Sequence, residues 1–285
     1  MDYAPDIVFP HLGIEINNLS RVAFSIFGFE IFWYAIFIVL GITAGYFTAL
    51  AEAKRTGQNK EHYMDLLLVA GSSAFVGLRL FYVIFNWERY RHNPLDIIIG
   101  IRDGGLAIFG GIIACIIAIY VFSRIRKLNV WLLLDTCAPS FALGQVIGRW
   151  GNFFNREAFG GFTDNLLAMR IARNQAAGPV TPEILAHTIM DRGVEYIQVH
   201  PTFLYESLWN LGLFILLTLY RPRKKFEGEV FWLYLLGYGF ARFFIESLRT
   251  DQLTFGAVPV SQMMAALVFV SAVLAITIIR LRKRS

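Results

Sequence analysis

Tyr238, Arg242, Glu246 and Arg249 follow one another at intervals of four, four and three, one continuous stripe along a helix. Gln145, Arg149 and Asn152 repeat that kind of spacing elsewhere in the chain. Both stripes lie within or at the end of apolar runs, where an ionisable side chain costs about 3 kcal/mol and marks function by default. Arg149 also opens the densest polar block of the sequence, "GRWGNFFNREAFGG" at 148–161, with two arginines, two asparagines and one glutamate. A guanidinium fork pairs with phosphate through two parallel hydrogen bonds and keeps its charge in a dry site better than an ammonium does. Arginines so placed suit the phosphate of a lipid headgroup. Two plainer readings compete: Arg242 neutralised by Glu246 one turn away, and Arg149 snorkelling to the headgroups.

The elements that must position these groups are membrane helices. The chain is 56% hydrophobic and 16% charged, with a mean hydropathy of +0.53, well above the apolar share of a soluble domain. Runs long enough to span a bilayer fall at roughly 27–50, 64–86, 105–124, 130–150, 204–220, 229–248 and 261–279. The expected fold is an all-α integral membrane protein of seven transmembrane helices. No cleavable signal peptide is read before the first run. Every lysine lies in "AEAKRTGQNKEH", "SRIRKLN", "RPRKKFEGE" or "RLRKRS", the connections after spans one, three, five and seven. Basic loops stay in the cytoplasm, so the N-terminus is expected outside and the C-terminus inside. The net charge of +5 is then positive-inside bias, and no nucleic-acid partner is implied.

Outside the membrane the sequence leaves an N-terminal arm over residues 1–26, a membrane domain over 27–285, and within it a small extracytoplasmic cap near 151–203. A structureless loop of that length is uncommon. "TPEILAHTIMDRG" predicts a short helix capped by Thr181, opened by Pro182 and ended by Gly193. "VEYIQVHP" alternates like a short strand. Gly144, Gly148 and Gly151 form a small-residue face for close helix approach. Cys115 and Cys137 fall inside spans and read as small apolar fillers.

The polar groups collect at one depth. Tyr34 opens span one, Arg79 lies late in span two, and Arg149 ends span four. His200, Tyr205 and Glu206 open span five, and the Tyr238–Arg249 stripe rides the outer half of span six. Five spans converging near the outer leaflet point to a pocket that grips a phospholipid headgroup from the membrane side. Whether that lipid is substrate, cargo or bystander is left open by these residues alone. A transporter would place its site near the midplane between repeats, and no repeat is visible. An intramembrane serine protease would need a histidine partner within the spans for the serines of "GSSAFVG". No metal or nucleotide cofactor is indicated, since neither a ligand cluster nor a phosphate-binding glycine loop is present.

"GRWGNFFNREAFG" resembles, position for position, the signature G-R-x-G-N-F-x-N-x-E-x-x-G of the prolipoprotein diacylglyceryl transferases, matching at eight fixed positions in thirteen. The resemblance continues through "FWYAI", "RDGGLAIFGG", "HPTFLYE" and "GYGFARFFIESLR", in the family's order and over nearly the whole chain. It implies transfer of the sn-1,2-diacylglyceryl group of phosphatidylglycerol to a lipobox cysteine in the signal peptide of a preprolipoprotein. A thioether forms and glycerol phosphate leaves, in the first step of lipoprotein maturation. The implied location is the bacterial cytoplasmic membrane.

By that resemblance Arg149, Asn152, Glu157 and Gly160 carry over from the signature, Arg242 and Glu246 from span six, and Tyr34 from span one. Arg149 and Arg242 are assigned to the phosphate, where charge develops as the phosphate monoester departs. Glu246 would orient Arg242, and Asn152 with Glu157 would bind the headgroup or shape the pocket mouth. Tyr34 and Tyr238 complete the expected substrate-binding set. One position departs from the family: Phe109 stands where many members carry a histidine that would serve as general base. The thiol must then be activated by the field of the arginines, or by His200, the nearest histidine at the expected depth.

Overall fold

The computed structural model describes residues 4–256 and 258–283; Arg284 and Ser285 of the basic C-terminal segment lie outside the described residues. The chain divides into two compact units, residues 1–45 with 137–285, and residues 46–136. In chain order the N-terminal strands are β1 (Ile7–Phe9), β2 (Ile14–Ile16), β3 (Val22–Ile26) and β4 (Phe29–Phe32). The helices α1 (Trp33–Arg55), α2 (Glu61–Phe85), α3 (Trp87–Tyr90), α4 (Asp96–Ile99), α5 (Ile108–Ile125) and α6 (Val130–Asn155) follow. Next come β5 (Met169–Ala172), α7 (Pro182–Leu185), β6 (Ile189–Asp191) and β7 (Val194–Val199). The chain closes with α8 (Thr202–Tyr220), α9 (Glu229–Leu248), β8 (Thr254–Phe255), β9 (Val258–Pro259) and α10 (Val260–Arg282).

Among the described residues, six helices are long and apolar enough to cross a membrane: α1, α2, α5, α6, α10 and α8 with its short extension to Arg223. The remaining segment of the sequence reading, 229–248, is also helical, as α9, and carries Arg242 and Glu246. The helices show apolar side chains outward, as Leu267, Val270, Leu274 and Ile278 do on α10. That exposure suits a lipid solvent.

The sequence reading differs from the structure in two local ways. Residues 27–32, expected to begin the first span, are the turn and second strand of the β3–β4 hairpin, and α1 starts at Trp33. A short apolar run fits strand and helix equally well until its hydrogen-bond partners are known. The helix expected over 181–193 lasts one turn. Thr181 caps it by accepting from the Ile184 N–H at 3.4 Å, but the chain then forms β6, which returns through Arg192 and Gly193 to pair with β7. Both turn residues have positive φ, 46° and 79°, as a tight hairpin turn requires. The mainly helical class stands, with a sheet added to it.

That sheet has five strands in the order β2-β1-β5-β7-β6, every pair antiparallel. The N-terminal arm is thus woven into it, with Ile7 opposite both Ile16 and Ile171, and Ile171 opposite Ile197. Their shared apolar face packs on Phe153 near the end of α6 and Phe203 at the start of α8. Burial of this cluster fixes the ends of the two helices that carry Arg149 and Glu206. Glycines set the helix spacing in the same unit. A methyl added at Gly41 of α1 would stand 3.0 Å from the Gly144 carbonyl oxygen of α6, and one at Gly151 would meet the Tyr34 ring at 2.6 Å. The small-residue face expected on α6 therefore receives α1.

Within the second unit, α2 and α5 pack through Gly77 and Gly110, where added methyls would fall 2.4 Å and 2.2 Å from the opposing backbone oxygen. Arg79, counted from sequence among the outer polar groups, has a different task. Its guanidinium donates to the carbonyls of Ile97, Asp96, Gly104 and Gly105 at 2.8–3.0 Å. It ties down the α3–α5 connection through these four bonds. Phe109 lies in the first turn of α5.

Candidate active site

All residues of the site belong to the first unit. Its centre is Glu206, in the first turns of α8 and 4% exposed. One carboxylate oxygen, Oε2, lies 2.6 Å from Nη2 of Arg149 on α6. The other, Oε1, accepts from Nη1 of Arg242 on α9 at 2.8 Å. Arg242 also meets Glu246 one turn along α9, with Nη2 2.5 Å from Oε2. Arg249, just past the end of α9, approaches Glu206 to 4.0 Å and forks onto Asp251 at 2.7 and 2.9 Å. Burial would raise the Asp251 carboxyl, but the Arg249 hydrogen bonds and charge outweigh it and hold Asp251 below the usual carboxylate range.

The same chain of contacts runs into the signature block. Arg149 Nη1 donates to Asn152 Oδ1 at 3.4 Å, and Asn152 Nδ2 donates to Glu157 Oε1 at 2.8 Å. Asn155 Nδ2 reaches the same oxygen at 3.1 Å. Glu157 and Asn155 then line a cavity of about 380 Å³ with Arg21, Phe32, Tyr34, Ala35 and Ala177. A continuous polar path thus leads from an open cavity to the buried Glu206.

The sequence expected Glu246 to orient Arg242, and the geometry fits. It counted Glu206 among the polar groups at the outer entry of span five but gave it no role in the site. The available signal was a carboxylate at the depth of two arginines on other spans. Neither plain reading accounts for the arrangement, because Arg242 reaches beyond its own helix and Arg149 turns inward to a buried carboxylate. Charge balance qualifies one expectation. Arg149, Arg242 and Arg249 are matched by Glu206, Glu246 and Asp251, so the cluster's field on a nearby thiol is weaker than that of bare arginines.

The other expected residues sit around this centre. At Gly160 an added methyl would lie 2.8 Å from both His200 Cβ and the Leu248 carbonyl oxygen. The Gly160 N–H donates to the His200 carbonyl, and Gly161 N–H donates to that of Leu248. The end of the signature thereby clamps the start of α8 to the last turn of α9, the two elements carrying Glu206 and Arg242. Tyr238 stacks on Tyr234 at 5.9 Å. Tyr34 stands against Gly151 and opens to the cavity.

His200 has a separate setting. Its Nδ1 lies 3.1 Å from the Tyr205 hydroxyl, which accepts from Asn165 Nδ2 at 2.9 Å. Among the described residues no hydrogen bond ties it to the arginine cluster. Burial holds its imidazole below the ordinary histidine value, so it is neutral at pH 7. The unfolded chain binds that proton more readily, and the native state therefore loses stability as pH falls from the ordinary histidine value through the depressed folded value. His200→Gln is expected to remove this part of the acid sensitivity, read as the shift of thermal unfolding midpoint between pH 7 and pH 5. In a transfer assay the same variant should keep measurable turnover across pH. A collapse relieved by raising pH would instead make His200 the base.

The sequence model of the family described as prolipoprotein diacylglyceryl transferase matches residues 21–278. A protein of Finegoldia magna named phosphatidylglycerol–prolipoprotein diacylglyceryl transferase is 44% identical over 257 residues, covering 90% of this chain and 94% of its own. Proteins of the same name from Bacillus mycoides and Bacillus cereus are 40% identical over 266 residues and 42% over 251. They span 93% and 88% of this chain, and 94% and 88% of their own.

Proposed function

The chain belongs to the prolipoprotein diacylglyceryl transferase family, and from that premise we propose that the Arg149–Glu206–Arg242 cluster is where it binds the phosphate of its lipid substrate. The activity is transfer of the diacylglyceryl group of phosphatidylglycerol to prolipoprotein, the first step of lipoprotein maturation. The observation that carries the site is one buried carboxylate joining arginines from two other helices. Each guanidinium has five N–H donors, and Glu206 with Glu246 engages only part of Arg242's set. The rest can serve a phosphate.

The reaction forms one bond and breaks one. The sulfur of the lipobox cysteine attacks the glyceryl carbon of phosphatidylglycerol, the carbon–oxygen bond to phosphate breaks, and glycerol phosphate departs with the bonding pair. The thiol proton ends on the departing glycerol phosphate, so the thioether and a phosphate monoester are the balanced products. Negative charge grows on the leaving phosphate, and donors fixed beforehand in a water-poor site stabilise that charge without reorganising. Arg149 and Arg242 supply these donors, Glu206 and Glu246 hold them in place, and Glu157 with Asn152 shapes the headgroup end. Purified protein in vesicles should release glycerol phosphate from phosphatidylglycerol only when a lipobox peptide is present. Release with a Cys→Ser peptide, or none with the Cys peptide, would overturn this reading.

The setting proposed with it is a bacterial cytoplasmic membrane crossed seven times, with α9 as the sixth span in chain order and the five-stranded sheet as an extracytoplasmic cap. The lysine distribution puts the N-terminus outside and the C-terminus in the cytoplasm. A reporter fused after Ser285 is expected to read cytoplasmic and one inserted near Gly178 to read external. The opposite pattern would move the site to the other leaflet.

A further inference from the structure

The β3–β4 hairpin is apolar where the fold does not need it to be. Its register pairs Ile26 with Phe29, Ser25 with Glu30, and Phe24 with Ile31. Directly opposed residues share a face and successive residues alternate. Phe24, Ile26, Phe29 and Ile31 therefore lie on one face, and Ser25 with Glu30 on the other. The apolar side is uncovered: Phe24, Ile26 and Phe29 are exposed, and Phe27 at the tip is 96% exposed. The turn is Phe27–Gly28, with φ of 50° and 81°. Glycine is at home there, but a bulky aromatic is strained, and turns of this hand favour asparagine or aspartate in the first place. Turn formation does not account for Phe27.

The base of the hairpin is tied to the rest of the fold, and its tip is exposed. Trp33 N–H donates to the Arg21 carbonyl at 3.0 Å, and the Arg21 side chain donates to the Gln175 carbonyl beside the sheet. Trp33 stacks on Phe154 of α6 at 5.0 Å, and the membrane helix α1 begins at that residue. At about 3.3 Å per residue the tip reaches roughly 15–20 Å from this point. An isolated two-stranded ribbon is marginal in water without a cover for its apolar face.

We propose that this hairpin is a membrane-inserting arm whose Phe24, Ile26, Phe27 and Phe29 lie in the acyl–headgroup boundary of the leaflet adjoining the sheet. Ser25 and Glu30 then face the headgroups and water. The occupant is lipid because the hairpin continues directly into a span, its free face is apolar and unchambered, and its polar residues stand on the opposite face, as in an interfacial element. Phe32 and Tyr34 at its base line the cavity that contains Glu157. Insertion would hold that cavity's mouth at the level from which a lipid arrives. The inference rests on the membrane setting and on none of the roles given to the arginines, so either can fail alone.

Nitroxide labels on single cysteines at positions 24, 25, 26, 27, 29 and 30, in the full chain carrying Cys115→Ala and Cys137→Ala, would test it in phosphatidylglycerol-containing vesicles. Collision with oxygen is expected to exceed collision with a water-soluble nickel chelate at 24, 26, 27 and 29, and to reverse at 25 and 30. Nickel-dominated collision at 26, 27 and 29 would place the hairpin in water and overturn the proposal. Labels shielded from both reagents only after a lipobox peptide is added would overturn it too, by making the face a peptide groove. The several positions keep the test decisive if one substitution prevents folding.

Discussion

Arg242→Ala is expected to lower diacylglyceryl transfer by about 10²–10³-fold, the usual loss when one preorganised donor to a developing anion is removed. Its position makes the effect large for a second reason. Arg242 is the counter-charge of two buried carboxylates, Glu206 and Glu246, and deleting one partner of a buried pair leaves the other uncompensated, at about 3–5 kcal/mol. Alanine therefore mixes lost chemistry with lost stability. Lysine separates them. Arg242→Lys keeps the charge and should accumulate in the membrane, yet an ammonium cannot meet Glu206, Glu246 and a phosphate with a planar fork. Transfer by Arg242→Lys should stay close to that of the alanine variant. Arg149→Lys should behave likewise, and near-normal turnover by it would remove the bidentate part of the account.

Glu206→Gln is the second variant expected to have a large effect, about 10²-fold, the scale on which small misplacements of catalytic groups act. Both oxygens of Glu206 are engaged, by Arg149 and by Arg242. The amide keeps one acceptor and turns donors toward the other guanidinium, so one arginine must swing away. Because Glu206 acts through the arginines, kcat should fall with KM for phosphatidylglycerol changing less. A merely structural carboxylate would lower the unfolding temperature without that split. Glu246→Gln should be milder, since Arg242 would keep its bond to Glu206.

The membrane helices and the polar stripes are legible in the sequence because each depends on residues three to twenty apart. Hydropathy locates all the long helices, and helical spacing aligns Arg242 with Glu246 and Arg149 with Asn152 before any coordinates. What the sequence hides depends on partners from distant segments. Glu206 reads only as one more polar group at the outer entry of span five until α6, α8 and α9 meet. Arg79 reads as one more outer polar group until the carbonyls of Asp96, Ile97, Gly104 and Gly105 are seen around it. The sheet is hard to read because its strands have three to six residues and come from both the N-terminal arm and the stretch after α6. Gly160, expected in the substrate-binding set, lies where His200 and Leu248 leave no room for a side chain.

The account stands on two arginines from different helices sharing one phosphate under the control of Glu206. A structure of the chain in lipid nanodiscs, with phosphatidylglycerol bound and no peptide present, tests this most directly. The prediction is a phosphate whose oxygens lie about 3 Å from guanidinium nitrogens of both Arg149 and Arg242, with Glu206 still touching both. A headgroup phosphate bound elsewhere, with the Arg149–Glu206–Arg242 chain closed as it is here, would contradict it.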